Sequence, residues 1–384
     1  MKDLSKLRVA IVCDWLTNPG GAEKVAEVLA DIFPEAPIFT SVCDRNRFEW
    51  LKKRKLITSW LDRLPIIKYK HQLMAPFRPM VFEGFDFSEY DLVFSLTSAE
   101  AKNIITKPNT IHICYCHTPV RYYWSDYHEY LNHRLEFGVF NPLIKLIMPF
   151  LVNSLRISDR MAADRVDYFL ANSINVKTRI EKYYRRESEV IYPPVEDEFE
   201  AKRGEKSQND YYLCLGRLVP YKKADLVVEA FVENGRRLLV SGEGPLLSRL
   251  KKIAEGKRNI EILGRVDDNE KKVLLENCKA LVFPAEEDFG IVPVEAMMCG
   301  KPVVAFGKGG ARETVVKDLS GVFFEKQNVD SLNKAIAILE RKRWDEKKIS
   351  AWATKFRREV FVKNIKEFVA KVLKKEKSKL IVGN

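Results

Sequence analysis

The feature that most constrains this chain is a repeating alternation: a short apolar run, a polar turn, then a segment with helical periodicity. It occurs in two series. In the first, residues 7–13, 37–42, 92–96, 111–116, 168–171 and 190–192 read as strands, and residues 22–33 carry Val25, Val28, Leu29 and Ile32 on one helical side. In the second, strands are expected at 211–215, 237–240, 260–263, 280–283 and 303–305. Helices fall near 221–233, 245–255, 267–277 and 291–299, the last stopped by Gly300 and Pro302. Apolar strands alternating with amphipathic helices imply parallel sheets covered on both faces. Pro193-Pro194 and the charged stretch 196–210 break the pattern and read as a linker. The expectation is an α/β chain of two doubly wound domains facing across a cleft, with ligands bound beyond the carboxyl ends of the strands.

The length of 384 residues agrees with two domains at about 150 residues each. The net charge of +12 is concentrated in two places. Residues 45–80 carry +8 and residues 341–384 carry +10, so the remaining body is slightly acidic. Seven cysteines cannot all pair within one chain, and most sit in apolar runs, which fits a reducing compartment. Cys114-x-Cys116-His117 invites a metal reading, but no second Cys/His cluster completes a four-ligand set. No export signal is expected, because Asp14 ends the first apolar run. The apolar stretch 139–152 is interrupted by Asn141, Pro142, Lys145 and Pro149 and falls short of the roughly 20 residues of a spanning helix.

Several motifs are absent. There is no Gly-x-Gly-x-x-Gly, no Walker A loop and no Asp-x-Asp metal–diphosphate clamp. The positive signal is Glu287-Asp288-Phe289-Gly290-Ile291-Val292-Pro293-Val294-Glu295-Ala296, running from an expected strand into an expected helix. Glu287 should precede that helix and Glu295 should lie two turns in. A carboxylate at a helix start is also an ordinary capping residue. One inside an otherwise apolar helix needs a partner, and sugar or ribose diols would serve. The N–H groups of Phe289, Gly290 and Ile291 suit a phosphate. Arg217 follows an apolar strand, where a buried cation needs an anion, and Lys222 lies five residues on. They read either as a structural pair or as a receptor for phosphate. Gly20 and Gly21 form a tight strand–helix turn or a phosphate approach. His117 ends a strand, and Gly309-Gly310 reads first as a turn.

This set resembles glycosyltransferase family 4, retaining enzymes of the GT-B fold, in which both domains are Rossmann-like. The resemblance rests on Glu287-x7-Glu295 with Phe-Gly after the first Glu, on Gly216-Arg217-Leu218 with Lys222, and on Asn18-Pro19-Gly20-Gly21. His117-Thr118-Pro119 and Tyr192-Pro193-Pro194-Val195 match as well, so it spans nearly the whole chain. It implies an acceptor-side domain at 1–195 with a C-terminal helix, 363–384, packed back on it, and a donor domain at 196–362. It also implies that Arg217 and Lys222 hold the diphosphate, Glu295 the ribose, Glu287 and His117 the donor sugar. No metal and no cofactor is expected. Gly-Gly-Ala-Glu-Lys and Arg121-Tyr122-Tyr123-Trp124 are most similar to mannosyltransferases of surface-polysaccharide assembly that use GDP-mannose. The acceptor implied is a glycan on a polyprenyl diphosphate.

Residues 45–80 mix their charge with Phe48, Trp50, Leu51, Leu56, Ile57, Trp60, Leu61, Leu64, Ile66 and Ile67. Such a mixture suits an anionic membrane surface, which places the protein in the cytoplasm, peripheral on the inner face of the membrane. Two other readings compete. A nucleotide-sugar epimerase would act on the donor alone. A nucleic-acid binder would use the same basic and aromatic residues but has no use for the Glu-x7-Glu helix, so nucleic acid is not expected as a partner.

Overall fold

A computed structural model describes residues 7–64, 74, 76–128, 142–196 and 210–382, without the side chains of 142–147 and 379–382. The linker residues 197–209 and the apolar Ile66 and Ile67 lie outside the described residues. The chain forms two compact units, Met1–Tyr192 with Val362–Asn384, and Pro193–Phe361.

The first unit is built on a seven-stranded sheet: β1 (Val9–Cys13), β2 (Ile38–Thr40), β3 (Leu56–Thr58), β4 (Leu92–Thr97), β5 (Ile111–Cys116), β6 (Tyr168–Ala171) and β7 (Ser188–Val190). All pairs are parallel, in the order β3-β2-β1-β4-β5-β6-β7. The central strands β1 and β4 are buried along their whole length, as near-continuous apolar runs require. Helices α1 (Gly21–Ile32), α2 (Arg78–Glu83), α3 (Pro142–Asp164) and α4 (Ile174–Tyr184) accompany the sheet. Sequence periodicity misses β3, because this half-buried edge strand lies inside the basic segment. It also puts β7 two residues late. Pairing of Phe169 with Ser188 and Ala171 with Val190 fixes the register, and the polar Glu189 on this edge hides the strand.

The second unit has six parallel strands: β8 (Tyr212–Leu215), β9 (Leu238–Ser241), β10 (Ile260–Gly264), β11 (Ala280–Phe283), β12 (Val303–Phe306) and β13 (Gly321–Phe324). Their order is β10-β9-β8-β11-β12-β13. The edge strand β13 also escapes sequence periodicity. Helices α5 (Ala224–Asn234), α6 (Leu247–Ile253), α7 (Asp268–Asn277), α8 (Ile291–Met298), α9 (Ala311–Thr314), α10 (Val329–Glu340) and α11 (Glu346–Ala353) complete it. A cluster including Val227, Phe231, Val240, Val304 and Ile336 forms its core.

The apolar spacing of the C-terminal tail reads as helix, yet the helix breaks. Arg357 is extended between a 3-10 turn at Thr354–Phe356 and α12 (Arg358–Val382). The backbone there is used otherwise: Val195 N donates to Phe356 O at 2.9 Å and Arg358 N donates to Val195 O at 3.2 Å. From Val362 on, α12 belongs to the first unit. Ile365 and Val369 are fully buried there, and Phe368 meets the Tyr168 ring edge-on at 6.3 Å. Lys371 pairs with Glu189 at 2.7 Å, and the Tyr168 hydroxyl donates to Glu376.

Candidate active site

In the second unit the strand order reverses between β8 and β11, and in open α/β sheets ligands bind at such a switch, beyond the carboxyl ends. Both segments singled out in the sequence emerge there. Arg217 leaves β8 with its head group exposed, donating to the Tyr221 hydroxyl at 2.7 Å. The expected burial of this cation is therefore corrected: its charge stays in water and needs no internal anion. Lys222 ends a 3-10 turn at Pro220–Lys222, and its Nζ donates to Glu287 Oε1. Each of these two side chains is about 20% exposed. The structure thus brings together two residues 65 positions apart in sequence.

Glu287 lies in the loop between β11 and α8. Two glycines shape that loop. Gly290 takes a left-handed φ of +84° as the N-cap of α8. Gly310 comes so close that a Cβ would stand 2.4 Å from Phe289 Cα, and its N–H donates to Glu287 O at 2.8 Å. Gly309-Gly310 is thus a backing for the Glu287–Phe289 backbone. Phe289 is buried, with its ring 5.5 Å from that of Phe356. Ile291 opens α8, whose first-turn N–H groups lack intrahelical acceptors and carry the positive end of the helix dipole.

Glu295, within α8, is 6% exposed. Sequence reasoning left its partner to a ligand, whereas the structure supplies Lys271 of α7, at 2.6 Å from Oε1. The other oxygen, Oε2, has no hydrogen-bond partner. A buried carboxylate oxygen left bare costs free energy, and a diol hydroxyl would satisfy it. Lys271 gave no sequence signal, since it lies on the polar helix α7 outside any motif.

The first unit has its own switch, between β1 and β4. A small pocket lies there, lined by Asp14, Trp15, Glu23, Ala26, Ser98 and His117, among others. Gly20 is the N-cap of α1 and Gly21 its first residue. A Cβ on Gly20 would stand 3.0 Å from Glu23 Oε2, so the bare turn makes room for a carboxylate on its own helix. Asp14, read from sequence only as the end of an apolar run, is a buried bracket. It accepts from Thr97 Oγ1 at 3.0 Å and from the N–H groups of Ser98, Ala99 and Ala101 at 2.7, 2.9 and 2.7 Å. It thereby ties the loop after β4 to the end of β1.

His117 follows β5 and reaches the pocket. Its Nε2 is buried without a hydrogen-bond partner, and its ring lies 5.3 Å from Tyr115. Burial pushes its pKa down to about 4, so the imidazole is neutral at pH 7. Cys114 and Cys116 lie in the core packed against Phe169 and Tyr184. Burial holds the Cys114 thiol up at about 12, protonated rather than poised as a ligand. Among the described residues no group of three or more His, Cys, Asp or Glu side chains converges as a cation would require.

Residues 195–357, nearly all of the second unit, match the family described as "Glycosyl transferases group 1". The second unit is thus similar to group 1 glycosyl transferase domains. A GDP-mannose-dependent monoacylated alpha-(1-6)-phosphatidylinositol monomannoside mannosyltransferase of Corynebacterium glutamicum is 32% identical over 137 residues, 32% of this chain and 36% of that protein. An alpha-1,3/1,6-mannosyltransferase of Kluyveromyces lactis is 27% identical over 363 residues, 77% of this chain and 69% of that one. The chain spans half or less of the length of the first curated relatives it matches. Among solved structures, Anabaena HepE in complex with UDP superimposes with a TM-score of 0.68 at 18% identity, covering 95% of this chain and all of that one. Two parallel Rossmann-like sheets and that superposition make the fold GT-B. In the matched segment the β8–β11 switch holds Arg217, Lys222 and Glu287.

Proposed function

We propose that this protein is a retaining glycosyltransferase that moves a hexose, mannose, from GDP-mannose to a lipid-linked acceptor glycan. One observation carries the reading: a lysine and a glutamate paired at the carboxyl-end switch of a unit similar to group 1 glycosyl transferase domains. The pair separates for a nucleotide-diphosphate sugar. Lys222, with Arg217, takes the diphosphate, and Glu287 takes the sugar hydroxyls. Glu295 Oε2 takes a ribose hydroxyl while Lys271 keeps Oε1 in place. As the bond from the anomeric carbon to the phosphate oxygen breaks, both cations stabilise the leaving diphosphate. A phosphate oxygen on that same face accepts the proton of the acceptor hydroxyl, whose oxygen forms the new bond, so configuration is retained. Neutral His117 offers a hydrogen-bond donor or acceptor to the transferring sugar without adding charge. The two cations do the work of a metal, and no metal is required.

The acceptor's lipid brings the enzyme to an anionic membrane surface, on the cytoplasmic face. The first unit carries 34 basic and 25 acidic side chains, a net +9. The surface that meets lipid differs from the one the basic segment first suggests. Lys52 pairs with Glu49, and Arg54 binds Asp31 and the carbonyls of Ala30 and Pro34 at the end of α1. Arg54 thus serves the fold, tying the end of α1 to the segment before β3, while Lys52 is taken up in an exposed pair. Past the carboxyl end of β3, Trp60, Leu64, Phe77 and Met80 are exposed by 41–68%. On α3, Phe150, Ile157 and Met161 are exposed on one helical side. No described helix is long and apolar enough to cross a membrane, so the contact is interfacial.

A panel of nucleotide sugars tests the reading. GDP-mannose should raise the unfolding temperature most and should transfer labelled mannose to a polyprenyl-diphosphate glycan. Protection by no nucleotide sugar, or conversion of donor without acceptor, would overturn it.

A further inference from the structure

Beneath the pocket of the first unit lies a buried ionic cluster that the catalytic reading does not use. Arg78, at the start of α2, is 2% exposed. Its Nε stands 3.0 Å from Glu100 Oε2, with both side chains at most 3% exposed. The same guanidinium donates to the Tyr122 hydroxyl at 2.9 Å. Tyr122 and Tyr123 in turn donate their hydroxyls to Glu100 Oε1 at 3.1 and 2.9 Å. The guanidinium carbon lies over the Trp15 ring, 5.0 Å from its centroid.

The sources of these groups matter. Trp15 follows β1, Arg78 opens the helix after β3, Glu100 follows β4, and Tyr122 and Tyr123 follow β5. Four separate segments from the carboxyl edge of one sheet meet at a single charge pair. Three of them, carrying Trp15, Ser98 and His117, wall the pocket. A buried ion pair is weak evidence for a stabilising role, since apolar residues of similar volume often replace one at no loss. What apolar residues cannot reproduce is direction: the planar guanidinium and carboxylate fix the rotation of two tyrosines and the tilt of an indole.

We infer that Arg78 and Glu100 are positioning residues: through Trp15 and the segment His117–Tyr123 they set the geometry of the pocket wall, without touching substrate. This rests on the transferase reading above and adds residues that no motif marks. Arg217, Lys222, Glu287 and Glu295 all belong to the other unit, so the affinity for GDP is the readout that a change in the cluster should leave in place.

Two variants test it, Arg78→Lys and the apolar double variant Arg78→Met with Glu100→Leu. Transfer kinetics, GDP affinity by calorimetry and amide hydrogen exchange are measured on each. The inference expects kcat to fall at least tenfold in both, with the Kd for GDP within twofold of wild type. Exchange should quicken in peptides covering residues 14–18 and 117–124 and stay unchanged across 280–300. Wild-type kcat with unchanged exchange in the folded double variant would overturn it. So would an equal loss of GDP affinity, which marks general destabilisation. Should the wild type transfer no sugar, the transferase reading fails by itself, and the exchange measurement still decides whether the cluster fixes the pocket wall.

Discussion

Glu287→Gln should have opposite effects on nucleotide binding and on transfer. In the ligand-free protein the Lys222 ammonium is held by Glu287, so a diphosphate must displace a carboxylate before it gains this cation. Both side chains are about 20% exposed, which places the pair between a surface pair and a buried one. Surface pairs contribute about 0–1 kcal/mol, and charge-assisted hydrogen bonds about 1.5–3 kcal/mol. A value of about 1–2 kcal/mol follows, and its removal corresponds to a factor of roughly 5–30 in an equilibrium constant. GDP should therefore bind Glu287→Gln roughly 5- to 30-fold tighter than wild type. Transfer should move the other way, with kcat/KM at least about tenfold lower, because an amide replaces a charged acceptor for the donor sugar's hydroxyls. Isothermal calorimetry with GDP, beside initial rates with GDP-mannose, reads both numbers. Lys222→Met is the control and should weaken both. GDP binding to Glu287→Gln that is unchanged or weaker would refute the competition, and near-normal turnover would remove Glu287 from the sugar site.

Activity should survive EDTA at full rate. Loss that Mg²⁺ or Mn²⁺ restores would show that Arg217 and Lys222 do not suffice for the diphosphate. Ile365→Ala removes a fully buried side chain from α12 and should destabilise the first unit by about 2–5 kcal/mol, read as a lower midpoint in urea; an unchanged midpoint would mean that α12 is not docked. In flotation with anionic vesicles, wild type should rise at low salt and sink at high salt. Trp60→Ser with Met80→Ser should abolish flotation, whereas Lys52→Gln with Lys53→Gln should spare it; the reverse pattern would return the lipid contact to the basic cluster.

Two series of apolar runs and helices are legible in the sequence because strands buried on both faces must be apolar throughout, and nothing distant is needed to see that. The segment Ala280–Phe283 is found to the residue for this reason. The edge strands Leu56–Thr58 and Gly321–Phe324 are not, because each has only three or four residues and an edge is defined by the neighbour it pairs with. The Glu-x7-Glu helix announces itself because a carboxylate in an apolar helix is locally anomalous. Its actual partner, Lys271, is invisible until α7 and α8 pack. The same holds for Lys222 with Glu287, for Asp14 with the loop after β4, and for Arg78 with Glu100. Each joins segments that only the strand order brings together. The basic segment shows the difference most plainly. Its charge is a property of the sequence. Which of its cations are consumed at the end of α1, and which apolar side chains face outward, depends on which end of the sheet each residue reaches, and a parallel sheet sets that through the direction of its strands.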